Sequence, residues 1–178
     1  MDKDFFSHST AVISEDSKIG KNTKIWHFSH VFGSSILGDD CTIGQNVMIG
    51  PNVKIGNRCK IQNNVSLYKG IILEDNVFCG PSCVFTNVKT PRAFIDRSDE
   101  FIETFVRKGA SIGANSTIIC GVELGAYCMI GAGALVTKNI KPFSLVVGSP
   151  AKHIGWVSKT GDRLDDNLIC KRTGQLYE

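Results

Sequence analysis

A six-residue beat of apolar side chains decides what this chain can fold into. Stepping by six from Ile13 gives Ile19, Ile25, Val31, Leu37, Ile43, Ile49, Ile55, Ile61, Leu67, Leu73, Cys79 and Phe85 without a miss. The beat resumes at Val106 and runs through Ile112, Ile118, Leu124, Ile130 and Val136. Four positions after most beats sits a small residue, among them Ser17, Thr23, Ser29, Cys41, Val65, Ala110 and Ala134, and Gly often follows the beat directly, as at Gly20, Gly44, Gly56 and Gly131. A helix would bring apolar residues back every three or four positions, and an isolated strand every two. Six fits a hexapeptide β-helix, in which each hexad is one short strand plus a corner and three hexads close a triangular coil. The expected fold is therefore all-β, a parallel β-helix with the beat residues inside. Its glycines are expected to permit corner conformations that a Cβ would hinder.

The beat is interrupted once. Phe85 and Val106 are 21 positions apart, one hexad plus 15 residues, which predicts a loop extruded at a corner over about 87–104. The loop carries Pro91, Arg92 and aromatic residues, not a flexible Gly/Ser composition, and such corner insertions often carry the site. The β-helix is expected to occupy residues 1–154, with residues up to about 12 capping its first coil. Residues 155–178 are expected to form a small hairpin-like cap.

Composition excludes several classes. The net charge is only +3, too weak to argue for nucleic acid, and no basic stretch is interleaved with aromatics. The charged opening is followed by no long apolar run, so neither a signal peptide nor a membrane span is expected. Of the seven cysteines, Cys41, Cys59, Cys83 and Cys128 fall in the small inward slot and Cys79 on the beat. Their odd number and unpaired spacing argue against a disulfide framework and for a reducing, cytoplasmic setting.

Stacking by 18 places Asn63 over Gln45 and His27, and Tyr68 over Gly50. Aligned amides form either a structural ladder or a polar groove for a nucleotide. Trp26 and Phe28 should face outward, as an interface or ligand wall or against the N-terminal cap. The small residues around Gly113-Ala114 and Gly131-Ala132-Gly133 would let a ligand lie close to the backbone, or are simply tight corners. Lys138, Lys141, Lys152 and His153 are candidate phosphate contacts.

These hexads, the single extruded loop and the ending VVGSPAK at 146–152 resemble the left-handed β-helix acyltransferases over residues 10 to about 155. More narrowly, 60–68 (KIQNNVSLY), 73–82 (LEDNVFCGPS), 84–88 (VFTNV) with Pro91-Arg92-Ala93, and 108–115 (KGASIGAN) are similar to the nucleotide 3-amino-sugar N-acetyltransferases. The resemblance implies a left-handed helix and a homotrimer, with acetyl-CoA as cosubstrate between neighbouring subunits. Its nearest branch implies N-acetylation of UDP-2-acetamido-3-amino-2,3-dideoxy-glucuronate for O-antigen or surface polysaccharide. The alternatives are a dTDP-3-amino-6-deoxyhexose N-acetyltransferase and a non-catalytic β-helix scaffold. Some family members carry paired tail cysteines resembling a zinc ribbon. Here that region holds Cys170 alone, and no metal is expected.

The implied chemistry is attack of the sugar 3-amine on the thioester. A ring amine flanked by oxygen-bearing carbons titrates nearer the about 8 of an α-amino group than lysine does, so a strong general base is dispensable. The only histidines, His8, His27, His30 and His153, lie outside the loop and its flanking coils. Asn87 matches the family residue that orients the amine and is the expected catalytic residue. Gln62, Asn64, Tyr68 and Arg92 are expected to bind the sugar nucleotide, Arg92 because its planar fork suits a carboxylate or pyrophosphate. Ala114, Ala132 and Gly133 are expected along the pantetheine of CoA, and Lys138 and Lys152 near its phosphates.

Overall fold

Two-residue strands, one per hexad, wind around a triangular prism. The structure is a computed structural model that describes residues 4–177; residues 1–3 of the expected cap lie outside it. The strands assemble into three sheets, one on each face, parallel except for the last strand of the first. Face A has nine strands, from Phe6–Ser7 to Lys152–Trp156. Face B has seven, from Val12–Ile13 to Leu135–Val136, and face C six, from Lys18–Ile19 to Glu123–Leu124. This is the left-handed β-helix that the hexads imply.

Alternation within each strand sends the beat residue inward and the residue before it to the surface. Ile25, Ile43, Ile61, Leu67, Ile112 and Leu124 are completely buried. Removing a side chain such as Ile61 from so closed a column costs about 2–5 kcal/mol, because the stacked coils cannot collapse into the gap. The small slots fill the prism beside them. Cys41 and Cys59 stack there one coil apart, and their thiols donate to Gly56 O and Glu74 O, each at 3.1 Å.

Stacked beats are 18 apart in sequence at Ile43–Ile61 but 33 apart at Leu73–Val106, the 15-residue extrusion read from the sequence. Arg107 clamps the resumed coil to its neighbours, donating to Glu74 at 2.9 Å and to Glu123 at 2.8 Å. The hydrogen bond to Glu123, with that to Glu74, holds its guanidinium well above the usual arginine range.

Three expectations need correction. The solenoid starts earlier than expected, since Phe6–Ser7 already pairs with Lys24–Ile25 and the presumed cap is a coil. It also ends later. Ile140 bridges Leu124 and Val146 pairs with Ile130, a stacking offset of 16 that the six-residue beat misses. The hairpin begins at Ser144–Val147, antiparallel to Lys152–Trp156, and so crosses the expected boundary at 154. The tail beyond it forms two tight turns bridged at Val157–Arg163 and Ile169–Leu176.

The corner glycines divide between two roles. The left-handed backbone falls three positions after the beat, on Asn22, Asn46, Asn64, Asn76 and Asn115, where an amide side chain tolerates it, and on Gly70, Gly109, Gly121 and Gly133, as expected of glycine. The glycine directly after the beat serves close approach. A Cβ on Gly44 would lie 2.6 Å from Asn63 Oδ1, and one on Gly113 2.5 Å from the Ala132 nitrogen.

Candidate functional site

Every expected site residue except Lys141, Lys152 and His153 lies on one of the two corners that flank face B. Gln62 and Asn64 follow the face A strand Lys60–Ile61, and Ala114 and Ala132–Gly133 occupy the same A/B corner farther along the axis. Tyr68 follows the face B strand Ser66–Leu67, and Asn87, Arg92 and Lys138 continue down the B/C corner. Within one chain the two groups are separated by the width of face B. The structure brings each group together along its own corner but does not join them.

Face B between them is the uncharged face. Its outward positions are Val12, His30, Met48, Ser66, Val84, Thr117 and Leu135, whereas face A presents Lys24 and Lys60, and face C presents Lys18, Lys54 and Glu123. Val12 and Val84 are 58% and 49% exposed, a large apolar area for a single chain to leave in water.

The loop leaves the B/C corner on a rigid base. The Ile102 N–H donates to Asn87 O at 2.9 Å, and the Thr104 N–H to Gly70 O at 2.9 Å. One residue before Asn87, Thr86 Oγ1 accepts from the Cys120 N–H at 2.9 Å. The Asn87 backbone is therefore fixed while its half-buried carboxamide has no hydrogen-bond partner among the described residues. Such a group has both a donor and an acceptor to offer a ligand. Farther out, Arg97 donates to both oxygens of Glu100 at 2.7 and 2.8 Å, which braces the turn. Arg92 is exposed, with only a local bond to Pro91 O at 3.1 Å, and Phe94 is 85% exposed.

On the A/B corner the amides divide. Asn63 Oδ1 accepts the Gln45 N–H at 2.9 Å, so Asn63 belongs to a structural ladder. Asn64 Oδ1 accepts from Asn46 Nδ2 at 3.0 Å, which leaves the Asn64 NH2 available. Gln62 makes no side-chain hydrogen bond among the described residues. The small residues also divide. Gly113 is required by packing, as above, but a Cβ on Gly133 would meet nothing within 4 Å, so open space lies beside Ala132–Gly133.

At the C-terminal end, Lys138, Lys141 and His153 line one cleft of about 410 Å3 with Trp156. Lys152 is placed apart from it, opposite Val147 on the hairpin, so the four cationic candidates do not form one cluster. Sequence reasoning did not single out Trp156 for this cleft; its edge-on contact with His153 at 4.5 Å depends on the hairpin that the hexad pattern does not announce.

In the tail, hydroxyls stand beside the lone thiol. Ser158 Oγ lies 2.8 Å from Thr160 Oγ1, which is 3.8 Å from Cys170 Sγ. Among the described residues no group of three or more His, Cys, Asp or Glu is placed to hold a metal ion. No helix of the structure is long and apolar enough to cross a membrane.

The model for bacterial transferase hexapeptide repeats matches residues 16–51, 34–69 and 103–138. The chain is 40% identical over 176 residues to a dTDP-3-amino-3,6-dideoxy-α-D-galactopyranose 3-N-acetyltransferase from Aneurinibacillus thermoaerophilus, covering 97% of this chain and 90% of that protein. Among solved structures it resembles a GDP-perosamine N-acetyltransferase from Caulobacter crescentus (TM-score 0.59, 20% identity, 85% of this chain and 58% of that one). It also resembles a hexapeptide-repeat acetyltransferase from Vibrio cholerae complexed with acetyl-CoA (TM-score 0.54, 25% identity, 65% of this chain and 70% of that one). The near-full-length relative and the repeat match make the assignment: the chain belongs to the hexapeptide-repeat acetyltransferase family and is an N-acetyltransferase.

Proposed function

We propose that this enzyme transfers the acetyl group of acetyl-CoA to the 3-amine of a nucleoside-diphosphate-linked 3-amino sugar, at sites shared between the subunits of a homotrimer. The observation that carries this reading is the segregation of the candidate residues onto the two corners beside an uncharged face. If face B of three copies turns toward a threefold axis, the A/B corner of one copy meets the B/C corner of the next. Gln62, Asn64 and the open strip at Ala114, Ala132 and Gly133 then face Tyr68, Asn87 and Arg92 across one cleft.

In that cleft the amine approaches the thioester carbonyl with its lone pair free. The Asn87 carboxamide oxygen accepts an N–H of the amine and fixes its direction of attack; an amide cannot remove the proton. Orientation of this kind supplies a large part of the rate. The carbonyl oxygen gains charge as the N–C bond forms, and unpaired N–H donors beside it stabilise that charge. Collapse expels the thiolate of CoA, which takes the proton released by the new amide. Lys138 and Lys141, which line the single-chain cleft with His153, are proposed to meet the phosphates of CoA.

For the acceptor, the near-full-length relative supports a thymidine-linked 3-amino-6-deoxyhexose. A second reading, the UDP-linked 3-amino uronic acid, is favoured by one observation: among the described residues Arg92 presents an exposed guanidinium without an acidic partner. The proposal includes a cytoplasmic setting, in keeping with seven cysteines that are all free and buried.

The test is thiol release from acetyl-CoA with dTDP-3-amino-3,6-dideoxyhexose beside UDP-2-acetamido-3-amino-2,3-dideoxy-glucuronate. The expected result is turnover of the thymidine sugar that is little altered by Arg92→Ala. Turnover of the uronic acid alone, lost in Arg92→Ala, would move the assignment to the second reading. No release with either would overturn both.

A further inference from the structure

We propose that the corner Trp26-His27-Phe28 is a nucleobase shelf, which holds the base of the acceptor nucleotide while its sugar reaches the level of the loop. The proposal rests on the reading of the acceptor as a nucleotide-linked sugar.

The first observation is backbone strain at an exposed aromatic residue. Left-handed corner positions in this chain carry mostly Asn, Ser, Asp or Gly. Phe28 adopts φ 57° and is 63% exposed. A bulky side chain in this conformation is strained, and such strain gathers at ligand sites. Two other aromatic residues with positive φ, Tyr127 and Phe143, have an internal reason: they stack on each other at 5.2 Å and 12°. Among the described residues Phe28 has only the His27 ring, tilted at 6.2 Å, and its 63% exposure leaves a face open to stack.

The second observation is that the shelf is braced from behind. Trp26 packs on Phe6 at 5.4 Å, and the His27 ring lies against His8 at 3.6 Å, tilted by 30°. The Phe28 N–H donates to Thr10 Oγ1 at 3.0 Å. The first coil thus fixes the aromatic corner, while Trp26 remains 38% exposed.

The third observation is position. One coil along the same corner are the exposed amides of Gln45 and Asn46. Asn46 spends its Nδ2 on Asn64, which leaves its carbonyl to face a base N–H. Three coils separate the shelf from Pro81, which is level with the strand that enters the loop. At the ordinary strand spacing of ~4.8 Å that is about 14 Å, the reach of an extended nucleoside diphosphate from base to sugar ring. The strip assigned to pantetheine runs the opposite way, toward Ala114 and Ala132, so the two substrates would meet head-on at the loop.

Phe28→Asn is the discriminating variant, because asparagine suits this backbone and replaces an exposed ring. Titration with dTDP alone, followed by tryptophan fluorescence, should show at least tenfold weaker binding in Phe28→Asn than in the wild type, in line with the loss of one base-aromatic stack. The preference for a dTDP-linked 3-amino sugar over the same sugar 1-phosphate should shrink by a similar factor. Equal dTDP affinity in the two proteins would overturn the shelf, as would equal loss of turnover on both sugars. Absence of any wild-type turnover would instead indict the acceptor assignment, and the dTDP titration would still decide the shelf.

Discussion

At the scale of single residues, Asn87 stands out for what it lacks. Its backbone is pinned by Ile102, yet its side chain has no hydrogen-bond partner among the described residues, although the chain elsewhere uses Asn57 and Asn63 to bond corner N–H groups. A side chain held in place but unsatisfied is suited to a ligand, and its replacement should leave the fold intact. Asn87→Ala is expected to lower kcat by about 10–100-fold, the cost of a lost orienting contact. KM for acetyl-CoA and the melting temperature should change little. Steady-state kinetics with scanning calorimetry checks this, and a drop in melting temperature of several degrees would reassign Asn87 to the scaffold. Asn63 shows the opposite case. It resembles a site residue in sequence, but its Oδ1 is taken by the Gln45 N–H, a distinction that periodicity alone cannot make.

At the scale of elements, the tail gives a prediction with a definite sign. Arg172 donates to Asp162 at 2.7 and 2.9 Å, and with help from Thr160 this lowers the Asp162 carboxyl to about 2. A carboxylate depressed in the folded state contributes stability that is fully present above its unfolded pKa of about 3.9 and is lost as pH falls toward about 2. The melting temperatures of wild type and Asp162→Asn should therefore differ by a steady margin above pH 4 and converge as pH drops to 2. A margin undiminished at pH 2 would refute the role of this pair. The tail itself was only partly legible. Hexads announce stacking of 18, but the shift to 16 at Ile140 and Val146, and the hairpin from Ser144, arise where the prism closes and packing departs from the repeat. Phe6–Ser7 was missed for a related reason: Ser7 occupies the beat with a polar side chain, so the first coil carries no apolar signature. The loop length, by contrast, was readable to the residue, because the register resumes cleanly behind it.

At the scale of the whole molecule, the account turns on face B. The beat specifies the prism, but the division of the candidate residues between two corners appears only when the faces are assembled. A charge at the centre of face B should break the assembly, since an unpaired charge in a buried interface is costly. Met48→Glu is expected to sediment as a monomer and to lose acetyl transfer, whereas Lys54→Glu on face C should keep both. Analytical ultracentrifugation with the thiol-release assay separates these outcomes, and an active Met48→Glu monomer would place the whole site within one chain.

The most direct test mixes two damaged subunits. Ala132→Trp fills the open strip on the A/B corner, and Asn87→Ala disables the B/C corner. Each homotrimer should be nearly inactive. After co-refolding in equal amounts, about one quarter of the interfaces should pair two intact corners by random assortment in a cyclic trimer, and about that share of wild-type acetyl transfer should return. If the mixture stays as inactive as its parents, the site is not shared between copies and the account fails.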